Sequence, residues 1–308
     1  MSEQAATAPE PTPSGEVAPL RVGVVGAGPW AALVHAPMVA NHPETELVGV
    51  WARRPEATAK LAARHGTVAC GSFAELVERC DALTFAVPPD VQVVLATRAA
   101  NAGKALLLDK PIALEVAAAE GLADAVDAAG VGTQIVLTWR YTDAFRSFLA
   151  EVHAAEPIGA RGAFLNAGAL GGPFATPWRL ERGPLFDLGP HVIDALDAAL
   201  GPVTSVRAHG DERTWVGLLL EHEGGLVSEV SLTSKAGIEP SRAGVEVFTT
   251  SGSIEVDTVG GVGFEAFGTV MDEFVRTARG EPHPLDVRHG LRLQRILAEA
   301  LVDLRARS

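Results

Sequence analysis

Cysteine is nearly absent: Cys70 and Cys80 are the only two in 308 residues. Neither belongs to a CxxC pair or a metal-type cluster. That excludes a disulfide framework and thiolate metal sites, and it points to two buried or half-buried thiols in a reduced, cytoplasmic setting. Long hydrophobic runs are missing too. None reaches the roughly 18 apolar residues of a membrane span, so no membrane partner is expected. Basic charge is in deficit, with 25 Lys and Arg against 38 Asp and Glu and a net charge of −13. No basic stripe is left for a phosphate backbone, which argues against nucleic acid as a partner. Residues 1–19 lack a basic n-region, a hydrophobic h-region and a twin-arginine pair. They read as a disordered tail and not as a signal peptide.

What remains is globular: 47% hydrophobic and 20% charged residues. The length exceeds the roughly 100 to 200 residues of one domain, so two domains are expected. The chain is organised around Arg21–Pro37, RVGVVGAGPWAALVHAP. Val22, Val24 and Val25 suit a strand covered on both faces. Gly26-Ala27-Gly28-Pro29-Trp30-Ala31 follows as a G-x-G-x-x-A turn. Its first glycine permits the tight turn, its second admits a pyrophosphate, and the N–H groups of the helix start meet the phosphates. Gly-rich turns also end ordinary strands, so the context decides.

That context is a run of alternating strands and helices. A helix from about Trp30 to Asn41 leads to a strand at Leu47–Trp51 and a helix from Pro55 to about His65. Ser72 reads as the N-cap of a helix, and Ala82–Val87 as a strand stopped by Pro88-Pro89. Strands at Ala105–Leu108 and Thr133–Leu137 flank a helix over about 114–129, completing an expected six-stranded parallel domain over residues 20–139. Ligands lie outside the carboxyl ends of such strands, so Gly28, Arg53, Val87, Pro88 and Lys110 should rim one crevice. An NAD-preferring fold would place Asp or Glu near Ala52. Arg53 and Arg54 stand beside it instead and could pair with a 2′-phosphate, making NADP the expected cofactor and NAD the alternative. The plain alternative is that the two arginines solvate a turn.

From Trp139 the pattern changes to β-type segments separated by turns: Gly159–Ala169, Val203–Gly210, Thr214–His222, Leu226–Ser234, Val245–Thr250 and Ser253–Val256. One helix, Pro190–Leu200, interrupts them. These make residues 140–308 an α+β domain with a mostly antiparallel open sheet, closed by a helix over Val287–Arg305 that packs back on the body. The open sheet face needs covering, and a second copy of the chain does this simply, so a homo-oligomer, a dimer or tetramer, is expected.

The second informative stretch is GPLFDLGPHVID, Gly183–Asp194. Asp187 precedes the helix and His191 lies in its first turn, where the dipole favours a carboxylate and a neutral imidazole. With a reference pKa of about 6.5, His191 suits proton transfer. Lys110 starts near 10.4 and suits polarisation of a substrate oxygen. The plain alternative is an N-cap and a surface histidine. A metal site built on Asp187, His191 and Asp194 lacks a third imidazole or a thiolate. Arg140, Tyr141, Trp178 and Arg179 are candidates for the substrate wall.

On four stretches in order the chain resembles the Gfo/Idh/MocA oxidoreductases, the glucose–fructose oxidoreductase and inositol dehydrogenase superfamily: VGVVGAGPWAALVHAP, GKALLLDKP, WRYTDAF and GPLFDLGPHVIDAL. The resemblance covers nearly everything after residue 20. It implies a Rossmann domain followed by a domain whose open sheet often forms an oligomer interface. It also implies that Lys110, Asp187 and His191 meet at the nicotinamide, with Lys110-Pro111 shaping the cofactor side. The sequence departs from the family pattern at Asp109, in place of a signature glutamate, at Gln92, where many relatives have histidine, and at Pro29-Trp30. The expected function is NAD(P)-dependent hydride transfer on a small sugar, polyol or cyclitol. A nucleotide-sensing protein without turnover and an imine or tetrapyrrole reductase are the rivals.

Overall fold

The computed structural model describes residues 18–259 and 263–306. Most of the expected tail, residues 1–17, lies outside them. A five-stranded parallel sheet comes first, in the order β2-β1-β3-β4-β5, from β1 (Leu20–Val25), β2 (Thr45–Trp51), β3 (Ala82–Phe85), β4 (Ala105–Leu108) and β5 (Thr133–Ile135). A π-helical turn (Ala31–His35) runs into α1 (Ala36–Asn41). The other crossovers are α2 (Pro55–Arg64), α3 (Phe73–Arg79), α4 (Pro89–Asn101) and α5 (Val116–Ala129). Val22, Val24 and Val25 are fully buried because β1 is interior and helices cover both faces. Ser72 caps α3 by accepting from the Glu75 N–H at 3.1 Å.

The expectation of six strands is corrected to five. Among the described residues there is beyond β2 a single bridge, Val50 to Ala69, and beyond β5 one backbone bond, Ile135 N–H to the Leu285 carbonyl at 2.8 Å. Neither contact extends into a ladder.

A 3₁₀ turn (Thr138–Tyr141) and α6 (Asp143–His153) lead to a six-stranded sheet in the order β11-β10-β6-β9-β8-β7. Its strands are β6 (Pro157–Leu165), β7 (Val203–Gly210), β8 (Val216–His222), β9 (Val227–Thr233), β10 (Arg242–Thr249) and β11 (Gly252–Asp257). Only β6 and β9 pair in parallel; every other pairing is antiparallel.

Between β6 and β7 stand two helices, α7 (Pro177–Asp187) and α8 (Gly189–Leu200), where one was expected. The chain kinks inside α7 at Gly183, with φ 67°, a position that only glycine fits because a Cβ there would strike the Glu212 carbonyl oxygen. Helix α8 lies on the inner sheet face, where a Cβ at Gly162 would stand 2.5 Å from Val192.

The last two helices return to the first sheet. Helix α9 (Phe264–Ala278), absent from the expected elements, packs on β4, β5 and α1 through buried Phe267, Val270, Met271 and Phe274. Helix α10 (Val287–Ala306) packs on α5, β7 and α8, burying Leu293, Leu297 and Leu304 while Leu301 is half-buried. Among the described residues no helix is long and apolar enough to cross a membrane.

Candidate active site

The glycine turn after β1 opens a cleft of about 730 Å³. Gly26 has φ 124°, its N–H donates to the Trp51 carbonyl at 2.8 Å, and a Cβ there would collide with the Ala86 carbonyl oxygen. Only glycine fits. Gly28 differs: a Cβ built on it meets nothing within 4 Å, so its backbone is open to a ligand. Gly26, Gly28, Pro29 and Trp30 line the cleft at the turn, Arg53 and Arg54 at the end of β2, and Val87, Pro88 and Lys110 beyond β3 and β4. The structure therefore brings the nine expected cofactor residues to one space. Both arginine side chains are exposed, and neither pairs with an acid among the described residues.

A second cavity of about 250 Å³ lies deeper, and Trp30, Asp109, Lys110, Phe174 and Arg179 line both spaces. Lys110 thus sits where they meet. Its Nζ donates to the Asp187 backbone oxygen at 2.5 Å and stands 3.5 Å from Asp187 Oδ1, which also accepts from Arg179 Nε at 2.9 Å. An ammonium has three donors, so one N–H of Lys110 is left to meet a substrate oxygen. Asp187 is the last residue of α7 and not an N-cap; the residue before α8 is Leu188, which makes no side-chain cap. The capping alternative for Asp187 is thereby excluded.

His191 lies in the first turn of α8, 8% exposed, in the wall of the inner cavity. Burial, then Lys110 and Arg179, push its pKa well below the usual histidine range, so the imidazole is neutral. Its Nδ1 is buried with no hydrogen-bond partner among the described residues. The ring stacks on Trp139 at 5.5 Å and 23°. A neutral imidazole beside a lysine donor is an arrangement that can exchange a hydroxyl proton.

Two departures noted in the sequence acquire places. Gln92 is buried and ties down the end of β4: it donates to the Asp109 carbonyl at 2.8 Å and accepts from the Asp109 N–H at 2.9 Å. Burial raises the pKa of Asp109, whose Oδ2 stands 4.0 Å from Nε2 of the wholly buried His35.

The substrate-wall expectation is corrected for two of its four residues. Arg140 pairs with Asp194 at 2.9 Å, and the buried Tyr141 donates to the Ile135 carbonyl at 2.6 Å. Both line a separate space near His283, because the 3₁₀ turn carries them away from the crevice. Trp178 lines the cofactor cleft, with the Arg179 guanidinium 4.9 Å above its ring. Inner-cavity residues that sequence reasoning missed are Thr138, Phe164, Asn166, Phe174 and Ser234. For Thr138, Phe164, Asn166 and Ser234 the only sequence signal is their place near strand ends, which many other residues share, and Phe174 lies in the loop before α7.

Residues 20–136 match the oxidoreductase family with an NAD-binding Rossmann fold, and residues 142–255 match the GFO/IDH/MocA C-terminal domain. The chain is 28% identical to D-glucoside 3-dehydrogenase of Escherichia coli over 63% of its own length and 58% of that protein. It is 28% identical to dTDP-3,4-didehydro-2,6-dideoxy-alpha-D-glucose 3-reductase of Streptomyces violaceoruber over 61% of its length and 56% of that protein. The matches thus span under two thirds of these relatives. The crystal structure of GenD2 from gentamicin A biosynthesis in complex with NAD superposes with a TM-score of 0.85, 21% identity and 97% coverage of both chains.

Proposed function

The chain belongs to the GFO/IDH/MocA oxidoreductase family, and on that premise we propose that it is an NADP(H)-preferring oxidoreductase acting on a carbinol or carbonyl carbon of a sugar, polyol or cyclitol. The observation that carries this reading is Lys110. It lies just beyond a strand of the first sheet and lines both cavities, yet its Nζ is bonded to Asp187, four residues before His191, and both of those residues line the inner cavity.

The cleft fits a dinucleotide by its own geometry: a turn that admits only glycine at 26, an open backbone at 28, and two unpaired arginines at the far end. The nicotinamide, when bound, supplies or accepts the hydride. The protein's part is proton handling and orientation. Lys110 donates to the substrate oxygen and polarises it. His191, kept neutral, takes the hydroxyl proton in oxidation and returns it in reduction. Asp187 holds Lys110 and Arg179 in place. The preference for NADP(H) rests on Arg53 and Arg54, free to fork onto a 2′-phosphate with no carboxylate at Ala52 to repel it. An inner cavity of about 250 Å³ is below the roughly 300 to 1,000 Å³ of drug-sized sites. One sugar ring suits it and a tetrapyrrole does not. The names of the two relatives, both acting at a sugar's third position, support the same substrate class.

Residues 20–139 serve the cofactor in this reading, and residues 140–308 the substrate and assembly. The six-stranded sheet turns Arg161, Leu219 and Val227 away from α8, with Leu219 41% and Val227 39% exposed. We assign this face to a homodimer contact, and sedimentation at micromolar concentration should show a dimer; a monomer contradicts it. The function itself is tested with keto-sugars, sugars, polyols and cyclitols against both cofactors, following nicotinamide absorbance. Turnover of at least one of them with NADPH is expected. Tight cofactor binding without turnover of any would instead identify a nucleotide sensor.

A further inference from the structure

Trp139 touches neither ligand space as a lining residue, yet it is 4% exposed and its indole lies flat on the His191 imidazole. Phe164 closes the same group, 6.0 Å from the imidazole and 5.5 Å from the indole. The next residue, Arg140, reaches past this stack to Asp194, which sits one turn along α8 from His191. Asp194 is 1% exposed, and its Oδ1 is also 2.7 Å from His289 Nε2 on α10. His289 Nδ1 accepts from Arg292 at 3.1 Å, so its Nε2–H is the donor to Asp194. Arg292 continues to Asp197, with 2.6 Å to Oδ2. A chain of charged and hydrogen-bonding groups therefore ties the 3₁₀ turn, α8 and α10 together directly behind the proposed base.

We propose, resting on the proton-transfer reading of His191, that Arg140 and Asp194 are positioning residues: their ion pair presses Trp139 flat against the imidazole and so fixes the ring's plane. Three observations converge on this. Arg140 and Asp194 face neither the cleft nor the inner cavity, so they are not substrate contacts. The pair is buried at Asp194, and such a pair adds little net stability over well-packed apolar residues, which fits a geometric task. The two partners flank the stack, one residue beyond the indole and one helical turn beyond the imidazole. The indole face also favours the positive charge that His191 carries after taking a proton. The other groups around the ring work differently: Lys110 and Arg179 oppose that charge, Asp187 is engaged by both cations, and Phe164 is neutral.

The test compares Arg140→Met combined with Asp194→Leu, which replaces the pair by apolar side chains, with Trp139→Leu and Arg140→Lys. The readout independent of activity is the His191 ring signal in the NMR spectrum of protein carrying isotope-labelled histidine, identified by its loss in His191→Asn. In the wild type this signal should lie upfield because the ring sits over the indole. It should lose that shift in Trp139→Leu and most of it in the double variant, while Arg140→Lys retains most of it. In the double variant kcat should fall about 10- to 100-fold, as for a misplacement of about 1 Å, with NADPH affinity within about twofold. Asp194→Asn, which keeps the shape, should show the same change at smaller size and serves if the double variant does not fold. An unmoved His191 signal in the double variant or in Asp194→Asn overturns the proposal. A moved signal with unchanged turnover leaves the positioning intact and overturns the proton-transfer reading.

Discussion

At the cofactor end the turn that admits a pyrophosphate is contiguous backbone, whereas the inner end is built from side chains that arrive from separate segments. At the first, one strand, one turn and one helix start supply the cradle, and a single carbonyl, that of Ala86, decides that residue 26 is glycine. At the second, Lys110 comes from the end of β4, Trp139 from the 3₁₀ turn, Phe164 from β6, Asp187 from α7 and His191 from α8. The lesson is that a phosphate cradle can be encoded locally, while the proposed proton chemistry draws on residues from both domains. Damage to the first region should therefore appear as lost affinity, and damage to the second as lost turnover.

Lys110 belongs to both regions and so gives the largest combined effect. Lys110→Ala should lower turnover by about 10²- to 10⁴-fold and also weaken cofactor binding, because the side chain lines both spaces. Single-turnover rates and cofactor titration check this. Full affinity in the variant would break the assignment of Lys110 to both ends.

The next effect concerns stability in the first region alone. Burial holds His35 down to about 3, against about 6.5 in an unfolded chain. Between those values the unfolded chain carries the extra proton, so stability rises with pH, is complete above about 6.5 and is lost as pH falls. The loss should reach about 3 kcal/mol by roughly pH 4.5. Urea melts of wild type and His35→Gln should diverge over this window, and parallel curves would contradict it.

A smaller effect separates the cofactors. Changing Arg53 and Arg54 together to alanine should weaken NADPH by more than about tenfold and NADH little, since each charge-assisted contact is worth about 1.5 to 3 kcal/mol. Equal losses for both cofactors, or a wild-type preference for NADH, would remove the 2′-phosphate from the account.

The same division explains what could be read from the sequence. The strands of the first sheet, the glycine turn and the Ser72 cap are local patterns, and all are visible as such. Helix α9 was legible too: Phe267, Val270, Met271, Phe274 and Val275 repeat at helical spacing, a stripe easily passed over between two stronger signals. Helix α7 was not legible, because Pro184 lies inside it, and the need for glycine at its kink comes from Glu212, distant in sequence. Arg140 and Tyr141 illustrate the limit for the site. Their neighbourhood was right, but a single 3₁₀ turn, invisible in the residue pattern, points them behind the crevice and leaves Trp139 against His191. Gln92 shows the converse. A position marked only by its departure from the family pattern lines the cofactor cleft and also secures the backbone on which Asp109 and Lys110 stand.

The central claim is that a neutral His191, in the inner region, moves the proton that accompanies hydride transfer. Its most direct test is a stopped-flow single turnover of NADPH-loaded wild type and His191→Ala with a keto-sugar that the wild type reduces. The account predicts that the variant binds NADPH as tightly as the wild type and oxidises it about 10²- to 10⁴-fold more slowly. Equal oxidation rates in the two proteins would contradict it.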